Sequence, residues 1–356
     1  MANGEHLPAT LDEVSLPQVL PPILLPAFTR ADLLKQVLDG LAEQSLRPPM
    51  IIAVVDGPRN EREQALVEET VQLLEDFSAI IPVELVRRSQ NLGCDKNIVT
   101  AFNETFQTHD SLVYLEDDIV PNPCFYDRMC RLLAAYKNQK QVFSISAYSS
   151  IAGNAKDQIK ADFFTSHRVF SWGYATWADR WHDIAMSTDK LYSNPFGAFY
   201  KIPPTIETQA TIINQFWMEK QQTTDWVITM TLEALHQNRI HIIPKVSFVY
   251  NIGFGHPESK TYRGKEPAWV NAGYDPEACP NTLPPSLELL DCLQAPLTGS
   301  QLIQRLGRQN GLWLSPSAAL YLLQQYPGWS SWGSCLQLFT TRLPVLLKRW
   351  RSGQSI

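Results

Sequence analysis

Short apolar runs alternate with longer amphipathic segments over the first 120 residues of the chain, and this alternation constrains the fold more than any other feature. Apolar runs of about five or six residues, bounded by turn residues, predict buried strands. The segments between them repeat apolar residues at helical spacing. Strands are predicted at Pro22–Phe28, Met50–Val55, Pro82–Val86 and Ser111–Leu115, and helices from a Thr29 cap to Leu41, at Glu61–Phe77 and at Asp95–Phe106.

This alternation predicts an α/β fold, in which parallel strands joined by right-handed crossovers form an open sheet with helices on both faces. Sheets of this kind bind ligands at the carboxyl ends of their strands. Asp56 and the triplet Glu116-Asp117-Asp118 each follow a predicted strand directly. We therefore expect the two acidic segments to face one cleft, although they lie far apart in the sequence.

The pattern is less regular in the second half of the chain. A strand is predicted at Val142–Ile145, a helix at Thr224–His236, and two short strands that pair with each other at Ile240–Pro244 and Val246–Tyr250. After a Pro-rich link at Pro280–Pro296, segments rich in Leu, Gln and Arg predict a helical C-terminal appendage. The predicted divisions are a lead-in over 1–20, an α/β domain over 21–275, and the link with its helices over 276–356.

The composition argues against several classes of protein. A chain of 356 residues with 44% apolar side chains can bury a large core, and its formal charge of -6 disfavours a general attraction to nucleic acid. Its six cysteines lack metal-ligand spacing, which favours reduced thiols in a cytoplasmic protein. Residues 1–20 carry acidic residues and prolines where a signal peptide needs a basic start. Since no apolar run has the length of a spanning helix, we expect any membrane contact to be peripheral.

The three consecutive carboxylates of Glu116-Asp117-Asp118 are the most informative local feature. Hard oxygen ligands at the end of a buried strand suit Mg²⁺ or Mn²⁺ and a diphosphate bridged to the metal. An acidic tripeptide is often only a solvated turn. The apolar strand before it and Pro121-Asn122-Pro123 after it favour a metal site here.

The segment Val113–Asp118 resembles the DxD-type metal motif of the family 2-like GT-A glycosyltransferases. With Glu in first place, it is similar to the N-acetylglucosaminyltransferases that begin complex N-glycan branches and to their bacterial relatives. Leu24–Arg30 resembles the family's opening strand and turn, Val54–Gly57 its second strand, and Asn91-Leu92-Gly93 the turn before the helix at the donor site. The resemblance covers about residues 20 to 135, and it implies a nucleotide-binding half over 21–140 and an acceptor half over 141–275.

The resemblance also implies roles for residues of the donor site. Asp118 would ligate Mn²⁺ or Mg²⁺, while Glu116 and Asp117 would hold the ribose, the sugar or metal-bound water. Arg30 and Asp56 would bracket the nucleoside. Asn91 would lie in the donor-site turn, and Lys96 would approach the diphosphate beside the free N–H groups of a helix start. An ordinary exposed lysine is the alternative for Lys96.

Further residues are implied on the acceptor side. Ser171–Trp177 resembles the family's Trp/Gly-rich acceptor loop, so Trp172, Gly173 and Tyr174 are candidate acceptor contacts, with Trp172 expected to be exposed to ligand. Trp177 and Trp181, four residues apart, are expected in the core. Asp225 resembles the base of inverting relatives, and capping a helix is its alternative role. His256, in a Gly-rich segment, is a candidate metal ligand or phosphate contact, with a plain surface turn as the alternative.

The tail Leu336–Arg351 mixes Leu, Phe and Trp with basic residues and is interrupted by Pro344. This composition fits a helix lying on an anionic membrane surface, but it favours a helix packed back onto the catalytic domain.

The predicted function is metal-dependent transfer of a sugar from a nucleotide-diphosphate sugar to a saccharide, lipid-linked or other hydroxyl acceptor. The hexosyl or N-acetylhexosaminyl class of the sugar and the inverting stereochemistry rest on the resemblance. A catalytically silent carbohydrate-binding or scaffold protein of the same fold is an alternative. A sugar nucleotidyltransferase is a second alternative, disfavoured because the turn Pro26–Arg30 has no glycine to form a phosphate loop.

Overall fold

A computed structural model describes residues 8–151, 156–184, 205–214, 225–259, 264–308 and 316–351. The chain divides into two compact units, one of Met1–Leu191 with Thr229–Leu289 and one of Tyr192–Ile228 with Leu290–Ile356. The first unit therefore contains the start of the Pro-rich link that was predicted from residue 276.

An eight-stranded sheet forms the centre of the first unit. Its spatial order is β3-β2-β1-β4-β8-β6-β9-β7, and all strands except β7 and β8 point the same way. Two further strands, β5 and β10, pair antiparallel in a separate ribbon. The strands are β1 Ile23–Ala27, β2 Ile51–Val55, β3 Val83–Arg87, β4 Ser111–Tyr114, β5 Ile119–Pro121, β6 Val142–Ser146, β7 Phe163–Ser166, β8 Tyr174–Trp177, β9 Ile240–Pro244 and β10 Val249–Asn251.

Helices connect the strands and continue toward the C-terminus. They are α1 Ala31–Ala42, α2 Glu61–Phe77, α3 Cys94–Thr105, α4 Phe125–Ala135, α5 Ala178–Asp183, α6 Trp226–His236, α7 Asp291–Gln294, α8 Gly299–Arg308, α9 Pro316–Gln325 and α10 Trp329–Arg351. The mixed α/β fold with a mostly parallel sheet and C-terminal helices confirms the predicted fold class. Within the described ranges, none of the helices combines the length and the apolar character that crossing a bilayer requires.

The core of the first unit lies where apolar helix stripes cover the sheet. Every residue of β2 is buried, as expected for a parallel strand flanked on both sides and covered on both faces. Helix α1 buries Leu34, Val37, Leu38 and Leu41, which recur at the helical spacing seen in the sequence. The predicted core residues Trp177 and Trp181 are also buried.

Two local predictions are wrong. The residue before α1 is Arg30, not Thr29, and no side chain caps that helix. The two late strands do not pair with each other, because β9 lies between β6 and β7 while β10 pairs with β5. All five residues of β9 are buried, and a buried strand needs neighbours at both edges to satisfy its backbone groups, which a two-stranded hairpin does not provide.

Candidate active site

A cavity of about 210 Å³ opens at the carboxyl ends of β1, β2 and β4. Because these strands are neighbours in the sheet, the segments that follow them come together although they are distant in sequence. The lining residues are Pro26, Ala27, Phe28, Thr29, Arg30, Asp56, Arg59, Asn91, Gly93, Cys94, Asn97, Ile98, Tyr114, Glu116, Asp117, Asp118, Glu258 and Ser259. The cavity thus brings together the predicted residues Arg30, Asp56 and Asn91 with the acidic triplet.

Arg30 forms ion pairs with two carboxylates of the triplet. Its Nη2 contacts Asp117 Oδ1, its Nε lies 3.3 Å from Asp117 Oδ2, and its Nη1 donates to Asp118 Oδ2 at 2.8 Å. Burial by itself lowers the pKa of Arg30, but Asp117 and Asp118 outweigh it and raise the pKa above the ordinary value. A permanently charged guanidinium thus holds both aspartates in the cavity wall.

Asp118 has one oxygen that the protein does not satisfy. Its Oδ2 pairs with Arg30, whereas its buried Oδ1 has no hydrogen-bond partner in the part of the chain that the structure describes. Burial raises the pKa of Asp118, and Arg30 opposes this shift. A buried carboxylate oxygen without a donor fits a hard divalent cation such as Mg²⁺ or Mn²⁺. Among the residues that the structure describes, no group of three or more His, Cys, Asp or Glu side chains is arranged to hold a metal ion.

Glu116, the first member of the triplet, contacts the segment Ser171–Trp177. Its Oε1 accepts a hydrogen bond from Ser171 Oγ at 2.6 Å. Burial raises the pKa of Glu116, and the negative charge of Asp118 raises it further. The raised pKa, about 8, means that Glu116 takes up a proton more readily than an exposed glutamate does.

Asp56 holds the turn that precedes α3 through hydrogen bonds. Its Oδ1 accepts from the backbone N–H groups of Gly57 and Leu92, at 2.9 and 2.8 Å. Its Oδ2 accepts from Asn91 Nδ2 and from the backbone N–H of Gly93, both at 3.0 Å. Both oxygens of this buried carboxylate are therefore engaged within the protein, and they position the turn Asn91-Leu92-Gly93 at the cavity.

Two basic side chains near the cavity differ from the prediction. Lys96 is exposed and does not belong to the lining, whereas Arg59, which the sequence analysis did not single out, does. The Arg59 guanidinium lies 5.5 Å from the centre of the Phe28 ring and pairs with Glu63. Because Arg59 follows the turn after β2, its position after a predicted strand was the sequence signal that could have identified it.

The segment Ile252–Ser259 borders the cavity and connects to the starts of two helices. His256 Nε2 lies 3.2 Å from Asp32 Oδ2 in the first turn of α1, and Glu258 pairs with Arg62 in the first turn of α2. His256 Nδ1 accepts from the backbone N–H of Glu258 at 3.2 Å. Glu258 and Ser259 line the cavity, while His256 lies outside the lining. Its role as a metal ligand stays a prediction.

The segment Ser171–Trp177, which was predicted to contact the acceptor, is packed in the interior. The expectation that Trp172 is exposed is wrong, since it is 3% exposed and packs edge-on against Tyr148. Gly173 has φ +65° and leaves no room for a side chain, and Tyr174 is buried. An exposed aromatic residue beside it is Trp269, which is 46% exposed and stacked parallel to Trp172 at 6.3 Å. No recognised motif surrounds Trp269 in the sequence, so no local signal pointed to it.

Asp225 immediately precedes helix α6 and caps it. Its Oδ1 accepts from the backbone N–H of Ile228 at 2.9 Å, which is the capping role weighed as the alternative. The helix begins at Trp226, and Thr224, where the prediction placed its start, lies outside the described residues. The role of Asp225 as a base is compatible with capping and stays a prediction.

One family of known proteins matches part of the chain. The model of the family described as Glycosyl transferase family 2 matches residues 23–192. Just under half of the chain is therefore similar in sequence to this family. No curated protein matches the chain.

Solved structures show only distant similarity. The structure of S. aureus TarS 1-349 in complex with UDP shares 14% identity, over 38% of this chain and 37% of that chain, with a TM-score of 0.29. The mannosyltransferase PcManGT from Pyrobaculum calidifontis, in complex with GDP-Man and Mn²⁺, shares 12% identity over 64% of this chain and 72% of that chain, with a TM-score of 0.39. The match to the first structure thus spans little more than a third of that chain.

Proposed function

We propose that this protein transfers a hexosyl or N-acetylhexosaminyl group from a nucleoside-diphosphate sugar to a hydroxyl of a saccharide or lipid-linked acceptor. The observation that carries the proposal is the unpartnered Oδ1 of Asp118 in a cavity that also contains Arg30, Arg59 and the start of α3. Carboxylates for a cation and cationic groups for phosphates within one cavity suit a donor that carries two negative phosphates.

The donor would bind along the carboxyl ends of β1, β2 and β4. Asp56 acts indirectly, because its oxygens hold the turn Asn91-Leu92-Gly93 in place for the nucleoside. Gly93 has φ +80° and precedes α3, so the first N–H groups of that helix and the Arg59 guanidinium are suited to the diphosphate. Arg30 would hold the carboxyl groups of Asp117 and Asp118 in the cavity wall beside the donor.

Asp118 is the residue that would hold Mn²⁺ or Mg²⁺, with donor phosphate oxygens and water as further ligands. Such an ion, when bound, neutralises the negative charge that the nucleoside diphosphate carries as it leaves. Glu116, hydrogen-bonded to Ser171, would hold the sugar or ribose hydroxyls.

Transfer with inversion requires a group that takes the proton of the acceptor hydroxyl. The acceptor oxygen forms its bond to C1 while the bond from C1 to the phosphate oxygen breaks, and Asp225 receives the proton. Trp269 is our candidate for stacking against the acceptor, because it is exposed and packs on Trp172, whose neighbour Ser171 contacts Glu116 at the cavity.

Donor binding is tested by thermal stability in the presence of UDP-, GDP- and dTDP-sugars, each with and without Mn²⁺. We expect one donor to raise the melting temperature in a manner that depends on the metal. Asp118→Asn should abolish the metal-dependent part of this rise in melting temperature. Asp39→Asn, an exposed change on α1, should preserve it. No shift with any donor would overturn the proposal in favour of a silent scaffold.

The proposed base is tested with Asp225→Asn, because asparagine also caps helices and leaves the capping bond in place. We expect the donor-induced thermal shift to persist and the rate of sugar transfer to fall by about a hundredfold or more. Transfer at the unaltered rate would exclude Asp225 as the base. If the variant lost both the donor-induced thermal shift and sugar transfer, Asp225 would instead have a structural role.

A further inference from the structure

Helix α10 presents three different faces. One face packs against α8 within the second unit, where Ser331 and Ser334 are buried and Leu338 fills the space beside Gly307. A hydrogen bond of 2.6 Å between Ser300 Oγ and Ser334 Oγ holds the two helices together. A second face carries the exposed polar side chains of Gln337 and Thr341. The contacts of α10 with α8 therefore do not involve the third face of the helix, which is described next.

The third face is an exposed apolar ridge. Its members are spaced by three or four residues, so they follow one side of the helix over about 27 Å. They range from 40% to 93% exposed, and large contiguous apolar surfaces of this kind mark interaction sites. The apolar ridge consists of Trp329, Trp332, Leu336, Phe339, Leu343 and Leu347.

The charge of this part of the chain indicates the partner. Residues 292–356 contain no Asp or Glu, although the whole protein has 36 acidic and 30 basic residues. The same segment contains six basic residues, and Lys348 and Arg351 are exposed on the last turns of α10. A second copy of the chain would bring the same positive charge, whereas an anionic surface would complement it. The six are Arg305, Arg308, Arg342, Lys348, Arg349 and Arg351.

We propose that the apolar ridge of α10 binds the surface of a bilayer that contains anionic lipids. The helix would lie in the plane of the membrane, with the ridge among the upper acyl chains and Lys348 and Arg351 near the lipid phosphates. Trp329 and Trp332 form the N-terminal end of the ridge, and tryptophan is favoured at the boundary between headgroups and acyl chains. The exposed ridge and the one-signed charge support this docking independently of the sugar-transfer reaction.

Flotation of the full chain with lipid vesicles tests the proposal. We expect binding to vesicles of phosphatidylcholine mixed with phosphatidylglycerol, weaker binding to phosphatidylcholine alone, and a decrease as salt is raised. The double variant Leu336→Ser/Phe339→Ser should reduce vesicle affinity by about tenfold or more, because it removes two apolar side chains from the ridge. Gln337→Ser/Thr341→Ser, on the polar face of the same helix, is the matched control and should bind normally. Lys348→Gln/Arg351→Gln should weaken binding to the anionic vesicles while leaving binding to phosphatidylcholine unchanged.

Four results would overturn the proposal. The first is no flotation of the unaltered chain, and the second is an equal loss of binding in the ridge and polar-face variants. The third is a stable dimer by light scattering that becomes monomeric only in the ridge variant, since a second copy would then cover the ridge. Equal binding to both kinds of vesicle would overturn the assignment of an anionic surface. The melting temperature of each variant checks folding, and a ridge variant that keeps a donor-induced thermal shift separates membrane docking from the proposed function.

Discussion

Gly253 makes room for the carboxylate on which the proposed metal site depends. A Cβ atom at this position would lie 2.0 Å from Asp118 Oδ2 and 2.7 Å from Asp118 Cγ. The neighbouring Ile252 donates its backbone N–H to the Asp118 carbonyl at 2.9 Å, so the backbone and the carboxylate are tied together. Only glycine leaves the carboxylate where Arg30 can hold it.

We predict that Gly253→Ala displaces the Asp118 carboxylate and lowers sugar transfer by about a hundredfold, because a 1 Å misplacement of a reacting group has an effect of that order. The metal-dependent part of the donor-induced thermal shift should fall with it. Gly333→Ala is the control, since a Cβ there meets nothing within 4 Å. Unaltered transfer in Gly253→Ala would show that Asp118 is not required in its observed position.

The hydrogen bonds accepted by Asp56 lead to a prediction for stability. Asp56→Ala removes four hydrogen-bond acceptor contacts from a buried site, and we expect the free energy of unfolding to fall by about 3 kcal/mol. Urea denaturation measures this change. Asp39→Ala, where the carboxylate is exposed and pairs with Lys35 on the same helix, should change stability by less than about 0.5 kcal/mol. Equal stability of the two variants would contradict the claim that the hydrogen bonds of Asp56 stabilise the folded protein.

At the scale of elements, the segment Ile252–Ser259 is joined to α1 and α2 by side chains at the first turn of each helix. These contacts, His256 with Asp32 and Glu258 with Arg62, link residues more than 190 positions apart. Arg62 and Asp32 are largely exposed, so their ion pairs contribute little to the stability of the fold. Their effect is to position a segment that borders the cavity.

We therefore predict that Asp32→Ala/Arg62→Ala raises the KM for the sugar donor by about fivefold, with little change in kcat or melting temperature. Steady-state kinetics over a range of donor concentrations measure the separation of the two constants. Arg87→Ala is a suitable control, because Arg87 also makes an exposed ion pair with α2, through Glu68. A similar rise in KM in the control would assign the effect to surface charge in general.

For the molecule as a whole, a buried imidazole connects stability to pH. His241 on β9 is fully buried, its Nδ1 lies 2.7 Å from Ser144 Oγ, and its Nε2 has no partner in the described part of the chain. Burial lowers the pKa of His241 to about 3, and the imidazole of His167 adds to this shift. The folded protein therefore keeps this ring neutral at pH values where the unfolded chain protonates it.

Because the pKa of His241 is lowered in the folded protein, the protein becomes less stable as the pH falls. Above the unfolded pKa of about 6.5 both states are neutral, and below it only the unfolded chain gains a proton, so stability falls until the folded pKa near 3. We expect a loss of about 2 kcal/mol between about pH 7 and about pH 5. His241→Gln should flatten this slope in denaturation curves, whereas His182→Gln, at an exposed histidine, should not. Parallel slopes for all three proteins would exclude His241 as the cause.

The local elements and the position of the candidate site followed from the pattern of residues along the chain. Strands β1 to β4 and helices α1 to α3 were predicted because apolar periodicity is a local property of the chain. The positions of Arg30, Asp56 and Asp118 at one sheet edge followed, because parallel strands put their carboxyl ends together. These predictions required only the spacing of side chains and the rules that govern crossover connections.

The folded structure was needed to establish which surfaces these residues face. It buried Trp172 and exposed Trp269, left Lys96 outside the cavity and put Arg59 in its lining, and placed β9 between β6 and β7. It also separated the tail helix into a face packed on α8 and an exposed apolar ridge. The physical reason is that burial and strand pairing depend on contacts between residues distant in sequence, and no local pattern records which distant partner each face meets.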